Sequence, residues 1–276
     1  MALNMPTFYK RTGSAIVFGA IMLTGLLLKD DRPFLGLVCL INILCLREYF
    51  KLIKKIDPAS YWPGWLRVCI IGLSTLIMLT FSVPGSGVLQ SILWGSFRTL
   101  PLAIPVLLMA CTLFKRNALM ALMQSIGGLF YVSLPLLLLM NMRMHDMALP
   151  VALIAMIWIN DTMAYIVGSF IGKTPFSPIS PKKTWEGTGG GALLTIIAAV
   201  VYGYLSQEYR IIDWIMLSLL TAVAGTLGDL LESKLKRMAD VKDSGNMMPG
   251  HGGALDRFDS LIVAAPVVFV YVSWFM

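Results

Sequence analysis

Of the 276 residues, 57% are hydrophobic and 13% charged, and the net charge at pH 7 is +7. A soluble domain is about one-quarter charged, and the apolar residues here come in blocks close to the roughly 20 residues that let a helix cross a bilayer. An ordinary soluble domain is therefore excluded, since so many apolar helices would leave large apolar patches in water; the lipid bilayer is the expected surrounding, and no nucleic acid is expected as a partner.

In chain order, nine blocks read as candidate spans: 13–28, 33–49, 65–83, 99–114, 118–141, 148–171, 188–205, 211–231 and 257–275. The second and fourth are short, and 86–97 reads as an interfacial turn, so the count carries an uncertainty of one either way. The opening MALNMPTFYKRTG does not end in a signal-peptide cleavage pattern, so the first block reads as a retained span. Cys39, Cys45, Cys69 and Cys111 all sit inside apolar blocks without a CxxC pair, and read as small packing residues rather than disulfides or metal ligands.

Lysines and arginines divide unequally between alternate connections. Fifteen fall on one side: Lys10 and Arg11, Arg47 to Lys55, Lys115 and Arg116, Lys173 to Lys183, and Lys234 to Lys242. Five fall on the other, at Lys29, Arg32, Arg98, Arg143 and Arg210. The positive-inside rule puts the fifteen in the cytoplasm. The expected fold is thus an all-α polytopic membrane protein of about nine helices, N-terminus cytoplasmic and C-terminus outside. It reads as a single membrane domain over 1–276, with scaffold helices in 1–150 and a catalytic half in 151–276 that holds the cytoplasmic loops 172–187 and 232–256.

Charges placed where they are costly mark the chemistry. Asn160 and Asp161 sit in the middle of the sixth block, where a carboxylate costs at least about 2.5 kcal/mol on insertion scales and must face a cavity, an ion or a partner. Tyr165 follows one turn on, on the same face. Next comes GKTPFSPISPKKTWEGTGGG, in which Lys182, Lys183, Thr184 and Glu186 precede a glycine run at the start of the seventh block. Such glycines serve close helix packing or close approach of a ligand, and a helix N-terminus beside lysines suits phosphate. Gly172-Lys173-Thr174 lacks the upstream glycine of a Walker loop. At the end of the eighth block, Asp229, Glu232, Ser233 and Lys236 share one helical face. Asp256 and Asp259, with Arg257 between them, open the last block, where one acid could serve as a cap. Gly250, Gly252 and Gly253 around His251 suggest a backbone that bends tightly or approaches a ligand. Two acids on different helices can pinch a hard cation whose other positions go to water and phosphate, and the nearby cations can clamp phosphates. These residue types favour Mg²⁺-assisted phosphoryl or nucleotidyl transfer.

SKLKRMADVKDSGNMMPGHGGALDRFDS (233–260) closely resembles the signature of the phosphatidate cytidylyltransferases, or CDP-diacylglycerol synthases. The pattern runs through Ser233, Lys236, Arg237, Lys242, Asp243, Gly245, Pro249, His251, Gly252, Gly253, Asp256, Arg257 and Asp259. NDTMAY (160–165), SPKKTWEG (180–187) and GDLLES (228–233) look like three further blocks in the family's order, whereas 1–150 is similar in hydropathy only. Ala254, and Met247 with Met248, depart from the larger or branched aliphatic residues usual there, a change of packing rather than charge.

The resemblance implies transfer of the cytidylyl group of CTP to phosphatidate, giving CDP-diacylglycerol and pyrophosphate. It implies a bacterial inner-membrane enzyme with its site facing the cytoplasm, a homodimer, Mg²⁺ or another divalent cation, and a second, monovalent cation such as K⁺. Carried over, Asp229 and Asp256 are the metal ligands and, with Lys236, Arg237 and Lys242, the catalytic set. Lys182, Lys183 and Arg257 join those cations as phosphate-holding candidates. Asp243, Ser244 and Gly245 shape a nucleotide loop, and Asn160 and Asp161 line the lipid head-group cleft. Thr184, Glu186, Ser233, His251, Gly252, Gly253 and Asp259 complete the expected substrate-binding set. The rival expectations are a CTP-dependent lipid kinase and a cation-coupled transporter.

Overall fold

The computed structural model describes residues 19–59, 64–82, 118–247 and 252–276. Helix α1 covers 19–27, α2 Asp31–Ile56 and α3 Gly64–Ser82. Helix α4, Ala118–Gly128, passes through a π turn, Leu129–Ser133, into α5, Leu134–His145. Helix α6 is Ala148–Ile171, and the antiparallel strands β1 (Pro175–Ser177) and β2 (Ser180–Thr184) lead to α7, Trp185–Ser206. Helices α8, Ile211–Met238, and α9, Leu255–Phe275, complete the chain.

Among the described residues, six helices are long and apolar enough to cross a membrane: α2, the continuous Met120–His145, α6, α7, α8 and α9. The protein is thus an all-α polytopic membrane protein. The expected block 65–83 is the shorter apolar helix Gly64–Thr80, and 19–27 supplies the described part of 13–28. The expectations for 86–97, for 99–114 and for Cys111 lie outside the described residues.

The connection 172–187 contains a hairpin over 175–184. Two expectations need correction. The connection read as 232–256 begins only at 239, since α8 continues to Met238 and carries Ser233, Lys236 and Arg237 on the helix. Arg143 is not a loop cation: it is buried at the end of α5, pairs with Asp31 at 3.1 Å, and donates to the carbonyls of Leu26 and Leu28. Those carbonyls at the end of α1 have no partner within their own helix, which explains why an arginine is held there.

Apolar packing and a few internal hydrogen bonds assemble the bundle. Asn42 on α2 donates to Ser74 on α3 and accepts from Ser133 in the π turn, both at 2.8 Å. Tyr49 lies against Gly127 and Gly128, where an added Cβ would sit 2.8 Å from its hydroxyl and 2.9 Å from its ring, respectively. In the second half α6 packs on α7, α7 on α8 and α8 on α9, while α9 also leans on α5 and touches α2. The α6–α7 contact is backbone-close. A Cβ at Gly187 would lie 2.7 Å from the Ala164 carbonyl, and one at Gly191 2.8 Å from that of Asn160. These glycines serve helix packing, the first of the two uses the sequence left open.

Candidate active site

The hairpin and helices α6, α7, α8 and α9 surround one cavity of about 490 Å³. Helix α6 supplies Asn160, Asp161 and Tyr165; β2 supplies Lys182, Lys183 and Thr184; α8 supplies Asp229, and α9 supplies Asp256 and Asp259. Each arrives by a local cause. The α6–α7 glycine contact sets Asn160 and Asp161 beside the N-terminus of α7, whose first turn Thr184 caps by accepting from the Gly187 N–H at 3.1 Å. On α8, a Cβ at Gly228 would stand 2.5 Å from the Asp259 carbonyl, so only glycine lets α8 and α9 approach at the depth where Asp229 and Asp259 project.

Asp229 pairs with Lys183 and accepts from the Ser233 hydroxyl at 3.3 Å. Asp259 is buried, and Asp229 and Asp161 are close enough for their charges to act on it. Asp161 faces the open cavity under the opposing influence of Lys183 and Asp229. Asn160 is 4% exposed and its Oδ1 has no hydrogen-bond partner, which is costly unless something in the cavity uses it.

Behind this rim Ser244 and Gly253, between α8 and α9, are tied to Asp256. Its Oδ2 accepts from Gly253 N (2.7 Å), Ser244 N (2.9 Å) and Ser244 Oγ (3.0 Å), and its Oδ1 from Lys236 Nζ (2.7 Å). Lys236 also pairs with the wholly buried Glu232, one turn earlier on α8. Gly252 has φ of +81°, a region open to glycine but costly to other residues, and a Cβ there would lie 2.5 Å from Asp256 Oδ2.

The remaining sequence-derived candidates are scattered. Glu186 is not at the cavity: its carboxylate accepts from Lys173 N, Thr174 N and Thr174 Oγ1, closing the base of the hairpin. Arg237, Lys242, Asp243 and Arg257 are exposed. Gly245 packs on Glu48, and His251 lies outside the described residues.

Glu48, on α2, is the residue that sequence reasoning missed. It is 6% exposed, and its Oε2 accepts from Ser244 Oγ and from Leu255 N, both at 2.8 Å. A Cβ at Gly253 or Gly245 would stand 2.2 Å from its carboxylate. Next to Arg47 and near the end of an apolar block, it had the appearance of a solvated helix end. Thr188, Thr226 and Ser260 also line the cavity unforeseen, since isolated hydroxyls in apolar helices give no pattern.

The donor chemistry of the cavity fits a hard cation. Carboxylates from three helices and the unpartnered Asn160 Oδ1 are oxygen donors, and Mg²⁺ needs only one or two carboxylates when phosphates and water fill its other positions. No group of three or more His, Cys, Asp or Glu stands in metal-holding geometry among the described residues, so a closed, all-protein cage is not what this site offers.

Fold and cavity together define an integral membrane protein that gathers lysines and carboxylates around one cavity among its helices. The chain matches the cytidylyltransferase family over residues 9–275 and belongs to it. It is similar to the phosphatidate cytidylyltransferase of Bacillus subtilis (strain 168), 45% identical over 121 residues, 43% of this chain and 45% of that protein. The phosphatidate cytidylyltransferase of Synechocystis sp. (strain ATCC 27184 / PCC 6803 / Kazusa) is 48% identical over 122 residues, 43% of this chain and 41% of the relative. The chain thus spans less than half the length of these two relatives. An uncharacterized protein of Escherichia coli (strain K12), YnbB, matches more extensively, with 30% identity over 259 residues, 85% of this chain and 77% of that protein.

Proposed function

We propose that this protein transfers the cytidylyl group of CTP to phosphatidate, releasing pyrophosphate and forming CDP-diacylglycerol for phospholipid synthesis. The observation that carries this reading is the single cavity in which the hairpin lysines meet acids from three membrane helices, in a chain of the cytidylyltransferase family. A lipid phosphate can reach such a site while its acyl chains stay in the bilayer.

The phosphatidate phosphate is already an anion near neutral pH and needs no strong general base. Its oxygen attacks the α-phosphorus of CTP, a new P–O bond forms, and the bond from that phosphorus to the β-phosphate bridge breaks. Lys182 and Lys183 hold phosphates at the mouth, and Lys183 exchanges its contact with Asp229 for one to substrate. Lys236, held by Glu232 and Asp256, keeps positive charge at the back wall. Arg237, Lys242 and Arg257 draw the nucleotide towards the loop whose shape Asp243, Ser244 and Gly245 set. Asp229 and Asp256 would hold a divalent cation such as Mg²⁺, with Asp161, Asp259 and Asn160 nearby for a monovalent one such as K⁺. Bound there, a divalent cation neutralises phosphate charge.

The same reading includes nine spans, a cytoplasmic N-terminus with the C-terminus outside, a homodimer, and residence in a bacterial inner membrane with the site facing the cytoplasm. The test uses purified protein with Mg²⁺, phosphatidate, and CTP labelled separately at the α- and γ-phosphate. Label from the α position in the lipid phase, with pyrophosphate released, is the expected result. Label passing only from the γ position to a lipid alcohol would replace the reading with a lipid kinase.

A further inference from the structure

A second cavity, of about 720 Å³, runs between α2 and α3 and shares no residue with the catalytic one. On α2 its wall is Ile43, Arg47 and Lys51, spaced four apart and so on one face, with Phe50 beside them. On α3 it follows Arg67, Ile71, Leu76 and Leu79. Gly64 and Gly72 also line it, and a Cβ built at either meets nothing within 4 Å, so the groove is open along its length.

Its two ends differ in chemistry. Lys51 lies near the C-terminus of α2 and Arg67 in the first turn of α3, so the cations share one end of the helical hairpin. The apolar wall continues to Leu79, about 18 Å beyond Arg67 at 1.5 Å per residue. Among the described residues none of Arg47, Lys51 and Arg67 forms an ion pair, and Arg67 Nε is buried without a hydrogen-bond partner. An apolar helix laid on this groove would bury those charges uncompensated, at high cost. An amphiphile with an anionic head and an apolar tail matches both ends.

We propose that this groove binds one anionic glycerophospholipid of the bilayer, its phosphate on Arg47, Lys51 and Arg67 and an acyl chain along α3. Guanidinium groups pair with phosphate through paired N–H donors, and clustered basic residues at a leaflet surface recognise anionic lipid. The site is a resident-lipid site, separate from the cavity where phosphatidate reacts.

Native mass spectrometry of the delipidated full-length protein, titrated with dioleoyl phosphatidylglycerol or dioleoyl phosphatidylcholine, tests this by binding, without reference to catalysis. One phosphatidylglycerol is expected to be retained in preference to phosphatidylcholine. Each of Arg47→Gln, Lys51→Gln and Arg67→Gln should weaken it about fivefold. Gly72→Leu should block the chain while leaving every charge in place; a Cβ there meets nothing within 4 Å, and an unchanged thermal midpoint of the variant checks that it folds. Lys183→Gln, in the other cavity, should change nothing. Equal retention of the two lipids, or unaltered affinity in the triple charge variant, overturns the proposal. So does loss of the lipid in Lys183→Gln, which would put it in the catalytic cavity. A dimer mass that falls to monomer in the triple variant would make the groove a surface for a second copy instead, and overturn it too.

Discussion

Asp256 and Glu48 hold one loop from two sides. Asp256 Oδ2 takes three donors from Ser244 and Gly253, and Glu48 Oε2 takes the Ser244 hydroxyl and the Leu255 amide. Removing the Glu48 carboxylate leaves the buried Leu255 amide unpaired, at about 1–3 kcal/mol, leaves the Ser244 hydroxyl to Asp256 alone, and loosens the contacts that orient Asp256. Glu48→Ala is therefore expected to lower kcat for cytidylyl transfer. Glu48→Gln, which keeps one oxygen acceptor, should recover much of the loss. If both variants turn over normally, the loop does not depend on α2. Asp229 is different, because its partners, Lys183 and Ser233, leave it in the cavity wall. Asp229→Asn preserves the shape and removes the charge, so the rate should fall at least about 100-fold while membrane insertion is unchanged. Near-normal turnover would remove Asp229 from the reaction. Both aspartates were legible in the sequence because acids in or beside apolar blocks are costly. Glu48 was not, because its partners are about 200 residues away along the chain and only folding brings them to it.

At the scale of elements, the glycine run at the start of α7 separates into two kinds. Gly187 and Gly191 meet backbone atoms of α6, which cannot swing aside, whereas a Cβ at Gly189 meets nothing within 4 Å. Gly187→Ala should thus part α6 from α7 and cost about 1–3 kcal/mol. It should also cut activity, since the first turn of α7 follows directly on Lys182 and Lys183. Gly189→Ala should be neutral or stabilising by up to about 1 kcal/mol through helix propensity. Thermal inactivation of the two variants in detergent, side by side, checks the contrast, and equal behaviour would refute the packing assignment. The sequence showed the four glycines but not which faced α6, because a three-residue run covers most of a helix turn. Helix existence was easier to read than helix ends. Met238 closes α8 well past the apolar block because Glu232 and Lys236 pair with each other on its last turns, and a charged helical turn has the same composition as a loop.

The proposed reaction requires the cavity to face the compartment that holds CTP, and chain alternation makes this testable. Helices α6, α7, α8 and α9 follow one another as membrane-crossing elements. The hairpin 175–184 and residues 239–247 after α8 therefore lie on one side, and the connection 207–210 lies on the other. That far connection is pinned in place: Tyr209 donates to Asp146 at 2.5 Å and Arg210 pairs with Asp213 at 2.9 Å. By the positive-inside rule, the proposed orientation has the hairpin side in the cytoplasm. In a variant lacking the native cysteines, single cysteines at the exposed positions Glu208 and Asn246 report the two sides. A membrane-impermeant maleimide added to right-side-out spheroplasts should label Glu208→Cys and spare Asn246→Cys until the membrane is broken. The reverse pattern would turn the acid-and-lysine cavity away from cytoplasmic nucleotide. No arrangement of Asp229, Asp256 and Lys183 could then use CTP from the cytoplasm, however well their geometry suits it.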